Sequence, residues 1–402
     1  MNGSRILSGS RLLVREIMNC LQLLTQAPGE ELVLTNEPAA FFKKYARGRC
    51  AVFTGRKSVE ASGTWDEFST AVPQSERFSG IEPEPCVETV ERMTAFLDAG
   101  NYDTVFAIGG GSVLDAAKAA FLVHQTKIPL QELFGVNMYS QKFPGKDLAR
   151  IIAVPTTSGT GSEATQYSNI VDHNAGVKKL IAEAQCVPLA GCVVPRYTNS
   201  MPRDVTLATG CDALAHLLEG FLNVRADSNH PEGNTWALAG IRLVKEFLPG
   251  ALVNDPCARE KMAIAAALGG MTIRFKSTGL PHLCSFSWFG RIAHGIAAIM
   301  LLPESWRYYL GNPAVAERTM LLSEIFPGHT PEAVIDSFRT FLTGLGVPEK
   351  LNAFPDLSPE LMERTACSAG ENKMKLELAP RPVPVEESRF ILQNILLKSY
   401  GE

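Results

Sequence analysis

The tightest constraint on the fold is an apolar run, Asp103-Thr104-Val105-Phe106-Ala107-Ile108, that feeds directly into Gly109-Gly110-Gly111-Ser112. A helical pattern follows at once over Val113 to His124. A buried strand that hands over to a helix through glycines belongs to a parallel sheet with helices packed on its faces. The unit recurs: Arg150-Ile151-Ile152-Ala153-Val154 opens into Pro155-Thr156-Thr157-Ser158-Gly159-Thr160-Gly161-Ser162-Glu163. Glu31–Thr35, Cys50–Gly55 and Ala190–Val194 supply further strands. Ser58 to Ala71, broken at Gly63, and the stretch from Glu84 to Asp98 supply helices, while Ile170 to Ile181 turns at Asn174-Ala175-Gly176 as a hairpin.

Beyond Pro202 the strand patterns stop. Helical periodicity runs over Thr206–Val224, Asn234–Leu248, Ala258–Met271, Gly295–Leu302, Ala314–Ile325, Pro331–Leu345, Pro359–Ala369 and Glu386–Ser399. The expected organisation is an α/β domain over residues 1–198 and an all-helical domain over 199–402, meeting at a cleft. Ligands of such a sheet sit at the carboxyl ends of its strands.

With 20% charged and 46% apolar residues and a net charge of −4, the chain has no electrostatic footprint for nucleic acid or an anionic membrane. Nine cysteines without CxxC spacing suit a reducing compartment. Met1 to Thr25 reads as an amphipathic helix rather than a secretion signal, and the expected location is the cytoplasm.

Three stretches carry chemistry. Gly109, Gly110, Gly111 and Ser112 lie at a helix N-terminus, where backbone N–H groups can meet a pyrophosphate; a plain tight turn fits the same four residues. Asp115 and Lys118 on the following helix read as first-turn and surface charges. The Pro155–Glu163 loop is small and hydroxyl-rich, able to lie flat beneath a planar ring. In Gly210-Cys211-Asp212-Ala213-Leu214-Ala215-His216, Asp212 and His216 leave one face of a helix, as two metal ligands or as a hydrogen-bonded pair. His282 and His294 could complete a site of one Asp and three His with an open position for a substrate oxygen.

Taken together, these residues resemble the iron-containing alcohol dehydrogenase family, also called the group III metal-dependent dehydrogenases. The resemblance runs from about Cys50 to the C-terminus, on the glycine turn with Asp115 and Lys118, the Pro155–Glu163 loop, Ser200-Met201-Pro202, Gly210–Glu219 and His294–Pro303. It implies an N-terminal dinucleotide-binding α/β domain and a C-terminal helical metal-binding domain. It places the metal ligands, which are also the catalytic centre, on Asp212, His216, His282 and His294. Cofactor contacts fall on Gly110, Gly111, Ser112, Thr156, Thr157, Thr165 and Lys178. The implied activity is an NAD(P)-dependent alcohol dehydrogenase or aldehyde reductase using Fe²⁺ or Zn²⁺ on a small alcohol or aldehyde, in a homodimer or larger assembly.

Departures from the family pattern are specific. Phe286 stands where many members carry a second histidine, Val194 replaces an aspartate, and the segment from His282 to His294 is two residues short. Gly55 replaces the carboxylate that favours NAD, and Arg56 and Lys57 follow it, so NADP(H) is expected over NAD(H). Lys276 and Arg291 could face the substrate and favour an anionic aldehyde such as one bearing a phosphonate, or both could be solvated charges. The rivals are a lyase of the dehydroquinate synthase type, which would need a pocket rich in Lys and Arg, and a non-catalytic relative.

Overall fold

The computed structural model describes residues 31–228 and 230–402. The helix expected over Met1–Thr25 lies outside the described residues. Six strands form a parallel sheet in the order β1-β9-β6-β4-β2-β3. They are β1 (Glu31–Leu34), β2 (Cys50–Gly55), β3 (Ser75–Ile81), β4 (Thr104–Gly109), β6 (Ile152–Pro155) and β9 (Ala190–Val193). Every residue of β2, β6 and β9 is buried, as helices on both faces require. From β2 the chain runs outward to β3 and then returns to the other side of β2 as β4. That reversal places a crevice between the carboxyl ends of β2 and β4, at Gly55 and Gly109.

Sequence periodicity misses β3, because Ser-Glu-Arg-Phe-Ser-Gly-Ile is largely polar. It can be polar because it is an edge strand, paired with β2 alone. The expected hairpin is present and starts earlier, with β7 (Tyr167–Asp172) antiparallel to β8 (Val177–Ala182) and β5 (Gly135–Val136) alongside.

After β9 the described residues are helical or irregular. Long helices span Arg203–Leu222, Glu232–Ala251, Pro256–Lys276 and His294–Tyr309. Their shared core includes Leu214, Leu217, Leu268, Ile299 and Trp306, each essentially fully buried. No helix among the described residues is long and apolar enough to cross a membrane.

Two charges differ from expectation. Lys118 is 2% exposed, not solvated. Its helix, Gly111–Thr126, packs beneath the loop after β6, and its ammonium donates to Ser162 O (2.7 Å), Ser162 Oγ (2.7 Å), Thr165 O (2.9 Å) and Tyr167 O (3.0 Å). Asp115 completes this hub, accepting from Ser162 Oγ (2.7 Å) and Asn169 N (2.9 Å). The helix face that reads as surface is covered by chain more than forty residues downstream.

Glu163, beside this hub, is 5% exposed, and burial pushes its carboxyl up to about 7 against its own backbone N–H and Lys118. A carboxyl raised on folding loses stability across the pH range where the unfolded chain is ionised and the native one is not yet, and stabilises least above its folded pKa. Stability is therefore full below about 4.3, falls as pH rises toward 7, and stays reduced above it. The loss is of order 3 kcal/mol. Glu163→Gln should flatten this decline in urea melts at pH 5 and pH 8. An undiminished decline in the variant would place the titration on another group.

Candidate metal centre and cofactor cleft

The helix Arg203–Leu222 buries Asp212 and His216 on one face, with side chains 6% and 7% exposed. His282 comes from the short helix Leu280–Ser285, and His294 begins the helix His294–Tyr309. The last approach depends on Gly295: a Cβ there would lie 2.1 Å from Ala208 O and 2.7 Å from Asp212 Cβ. Only a residue without a side chain lets the His294 helix begin so close to Asp212.

Asp212 Oδ1 is ringed by three imidazole nitrogens: His282 Nε2 at 3.5 Å, His216 Nε2 at 3.8 Å and His294 Nε2 at 3.9 Å. Ligands held at about 2.0–2.2 Å by one tetrahedral ion are roughly 3.4 Å apart, so these separations are slightly open. Asp212, His282 and His294 present atoms within 4.8 Å of one another. Asp212 Oδ1 and His282 Nε2 are buried without a hydrogen-bond partner. Buried polar atoms left this way cost free energy that a cation among them would recover. The donor set, one carboxylate oxygen and three imidazoles, suits Fe²⁺ or Zn²⁺.

Neighbouring groups fix two of the rings. Glu219, seven residues after Asp212 on the same helix, is hydrogen-bonded to His282 Nδ1 and also accepts from Gly279 N at 2.7 Å. With Nδ1 engaged, His282 turns Nε2 to Asp212. Ser285 Oγ donates to His282 O (2.8 Å), so it accepts from His294 Nδ1 (3.2 Å) and leaves His294 Nε2 toward Asp212. Lys375 supports the same segment: its ammonium, pushed down to about 8 by burial against the pull of Glu219, holds Ser277 Oγ (2.8 Å) and Thr278 O (3.0 Å).

The electrostatics divide the rings. Burial lowers His216 to about 4 despite Asp212, and burial together with the Lys178 charge holds His294 well below the usual imidazole range. Burial pushes His282 down too, but the Glu219 and Asp212 carboxylates outweigh it and raise it to about 9. Burial raises Asp212, yet the surrounding imidazoles hold it below the carboxylate range. His294 is the most open of the four, its side chain 24% exposed, so the site is most accessible on that side.

The glycine turn is built in the α/β half of the chain. Gly110 caps the helix Gly111–Thr126, whose first turn has no side-chain cap. Thr156 N bonds to Gly109 O (2.9 Å), bringing the loop after β6 against the turn. A Cβ on Gly111 would lie 2.4 Å from Thr160 Cγ2, so close packing of the loop by itself requires glycine there. Thr156 Oγ1 and Ser158 Oγ are buried without partners, whereas Thr157 is half-buried and Thr165 is held by Lys118. Lys178, on β8, pairs with Glu84 at 2.7 Å.

Lys276 does not face this space. It is fully buried, engaged by Asp227 (2.6 Å) and Asn234, because its helix turns that face toward Glu232–Ala251. Arg291 is exposed and donates to Asp356 O (3.2 Å).

Comparison with known proteins extends this geometry. The sequence pattern "Iron-containing alcohol dehydrogenase" matches residues 34–194, and "Fe-containing alcohol dehydrogenase family, C-terminal" matches 206–396. The chain belongs to the iron-containing alcohol dehydrogenase family. It is 30% identical over 351 residues to 1-propanol dehydrogenase PduQ of Salmonella typhimurium, covering 82% of this chain and 89% of that one. It is 35% identical over 242 residues to aldehyde-alcohol dehydrogenase 2 of Entamoeba histolytica; that match covers 58% of this chain and spans only 27% of the longer relative. The crystal structure of an iron-containing alcohol dehydrogenase from Thermotoga maritima superposes with a TM-score of 0.77 at 27% identity, over 91% of this chain and 97% of that one. In this iron-containing alcohol dehydrogenase, Phe286 stacks on the His294 ring, centroids 5.9 Å apart and planes at 20°.

Sequence reasoning missed Glu219, Ser285, Glu84 and Lys375. Only Glu219 left a local signal, three residues after His216 and hence on the same helical face.

Glu219→Gln should weaken metal binding about ten- to a hundredfold, the usual cost of losing such a supporting carboxylate. Chelator competition on the folded variant measures it; wild-type affinity would remove Glu219 from the site.

Proposed function

We propose that the protein is a metal-dependent, NAD(P)-linked alcohol dehydrogenase or aldehyde reductase acting on a small aldehyde or primary alcohol. The observation that carries this reading is the unpartnered Asp212 oxygen with three imidazole nitrogens around it. Asp212, His216, His282 and His294 would hold the metal, Fe²⁺ or Zn²⁺. Gly110, Gly111, Ser112, Thr156, Thr157, Thr165 and Lys178 would hold the dinucleotide, with NADP(H) preferred. When bound, the metal supplies Lewis acidity toward the substrate oxygen and the nicotinamide supplies or takes the hydride.

The chain's own residues position and enclose. Glu219 and Ser285 set the ring orientations of His282 and His294. Phe286 covers one face of His294 and carries no exchangeable proton, so proton transfer at this place falls to water or another group. Lys276, engaged by Asp227, is not available to an anionic group on the substrate such as a phosphonate. The expected working form is a homodimer or larger assembly in the cytoplasm.

The test is a panel of neutral and anionic short aldehydes with NADH and NADPH on protein reconstituted with Fe²⁺ or Zn²⁺. Metal-dependent nicotinamide oxidation is the expected result. Stoichiometric metal and bound dinucleotide without turnover on any aldehyde would overturn the reading.

A further inference from the structure

We propose that Glu84 is a positioning residue that couples the glycine turn to the loop between His282 and His294. This rests on the dinucleotide reading above. Glu84 joins three segments far apart in sequence. Its N–H donates to Ser112 Oγ (3.1 Å), its Oε1 pairs with Lys178 Nζ (2.7 Å), and its Oε2 accepts from Gly290 N (2.7 Å). Its backbone is left-handed at φ 55°, unusual for a glutamate and sustained only where surrounding contacts fix it.

The loop 286–293 is held on both sides: Arg291 donates to Asp356 O (3.2 Å) and Ser287 meets Ser368 (3.4 Å) on the helical side, and Phe289 lies edge-on to His173 of the α/β side with centroids 5.9 Å apart. Trp288, fully buried, donates from Nε1 to Thr365 Oγ1 (2.9 Å) on the helical side. Gly290, at φ 70°, meets Glu84 on the α/β side, and among the described residues this is the loop's one hydrogen bond to that domain. Four residues further on lies His294. The position of the loop leading into the open ligand is thus held by a residue that also touches the turn proposed for pyrophosphate.

The two contacts reinforce each other. Ser112 Oγ accepts from the Glu84 N–H, which leaves its own O–H available to donate to a phosphate oxygen. Donating makes the oxygen a better acceptor, so phosphate at the turn strengthens the Glu84 anchor instead of competing with it. The carboxylate is then held more firmly under Gly290, and a dinucleotide at Ser112 steadies the loop that ends at His294.

Hydrogen exchange on metal-loaded protein with and without NADPH tests this in wild type, Glu84→Ala and Glu84→Gln. In wild type, NADPH should slow exchange over residues 110–118 and over 286–293. In Glu84→Ala, protection at 110–118 should persist while the NADPH-dependent protection at 286–293 falls about ten- to a hundredfold, the weight of one charge-assisted hydrogen bond. Glu84→Gln, which keeps an oxygen for Gly290, should fall between. Metal content should be unchanged in both variants, with a loss in kcat. No protection at 110–118 in wild type would overturn the dinucleotide reading and the coupling with it. Protection at 110–118 without any at 286–293, or undiminished loop protection in Glu84→Ala, would overturn the coupling alone. So would a loop that loosens equally with and without NADPH, since that is a structural role only.

Discussion

His294→Ala will lose most of its metal and nearly all turnover while keeping its fold. The proposed set offers one oxygen and three nitrogens, and His294 is the member nearest the opening, with a quarter of its side chain exposed. Removing it leaves Asp212 and two inner imidazoles, too few for a closed shell without added water. Loss of a supporting residue behind a ligand costs roughly ten- to a hundredfold in metal affinity, so loss of the ligand itself should exceed that. The fold should survive, because His294 starts its helix and the packing is carried by Ile296, Ile299, Leu302 and Trp306 behind it. His216→Ala should lose metal as completely and be less stable, since it empties a fully enclosed position. Metal content by elemental analysis, circular dichroism and turnover separate these effects. A folded His294→Ala protein with wild-type metal content and activity would show that His294 is not a ligand.

What the sequence made legible follows from the distance over which each signal acts. Asp212 and His216 are four residues apart on one helix, so their shared face is a local property. The β4-glycine-helix unit is equally local, and strand, turn and helix appear in place within one or two residues. The closeness of His282 and His294 to Asp212 is set by helix packing, through Gly295 against Ala208 and Asp212, and spacing alone could only allow it. Charges fared worst. Lys118 reads as a surface residue, yet its four nearest oxygens belong to a loop folded back over its helix. Lys276 reads as facing either substrate or solvent, yet Asp227 and Asn234 claim it from the neighbouring segment. A buried cation and a solvated one share the same local pattern; only tertiary oxygens distinguish them. Glu84 was invisible for a related reason, since its three partners come from three separate segments.

Cofactor choice should be readable at the end of β2. A carboxylate there would accept hydrogen bonds from the adenosine ribose hydroxyls and repel a 2′-phosphate. Here the strand ends in Gly55, at the carboxyl-end crevice beside β4, and Arg56 and Lys57 follow, both exposed. Neither side chain makes a hydrogen bond or ion pair among the described residues, and the Arg56 side chain lies over Gly80 on the adjacent strand, within 3.9 Å of where a Cβ would be. A planar guanidinium in that place can bind a phosphate bidentately. Such a contact contributes roughly 1.5–3 kcal/mol, so NADPH should exceed NADH in kcat/KM by about ten- to a hundredfold. Gly55→Asp is a clean reversal because the position has room: a Cβ would meet Ile81 O, Ser58 Oγ and Val113 Cγ2 only at 3.7 Å, ordinary contact. The aspartate should therefore fold without displacement, favour NADH and reject NADPH. Arg56→Ala should lower NADPH efficiency toward parity and leave NADH efficiency unchanged, which separates phosphate recognition from a general change in the crevice. Higher efficiency with NADH in the unmodified protein would mean that Arg56 and Lys57 only decorate an exposed turn.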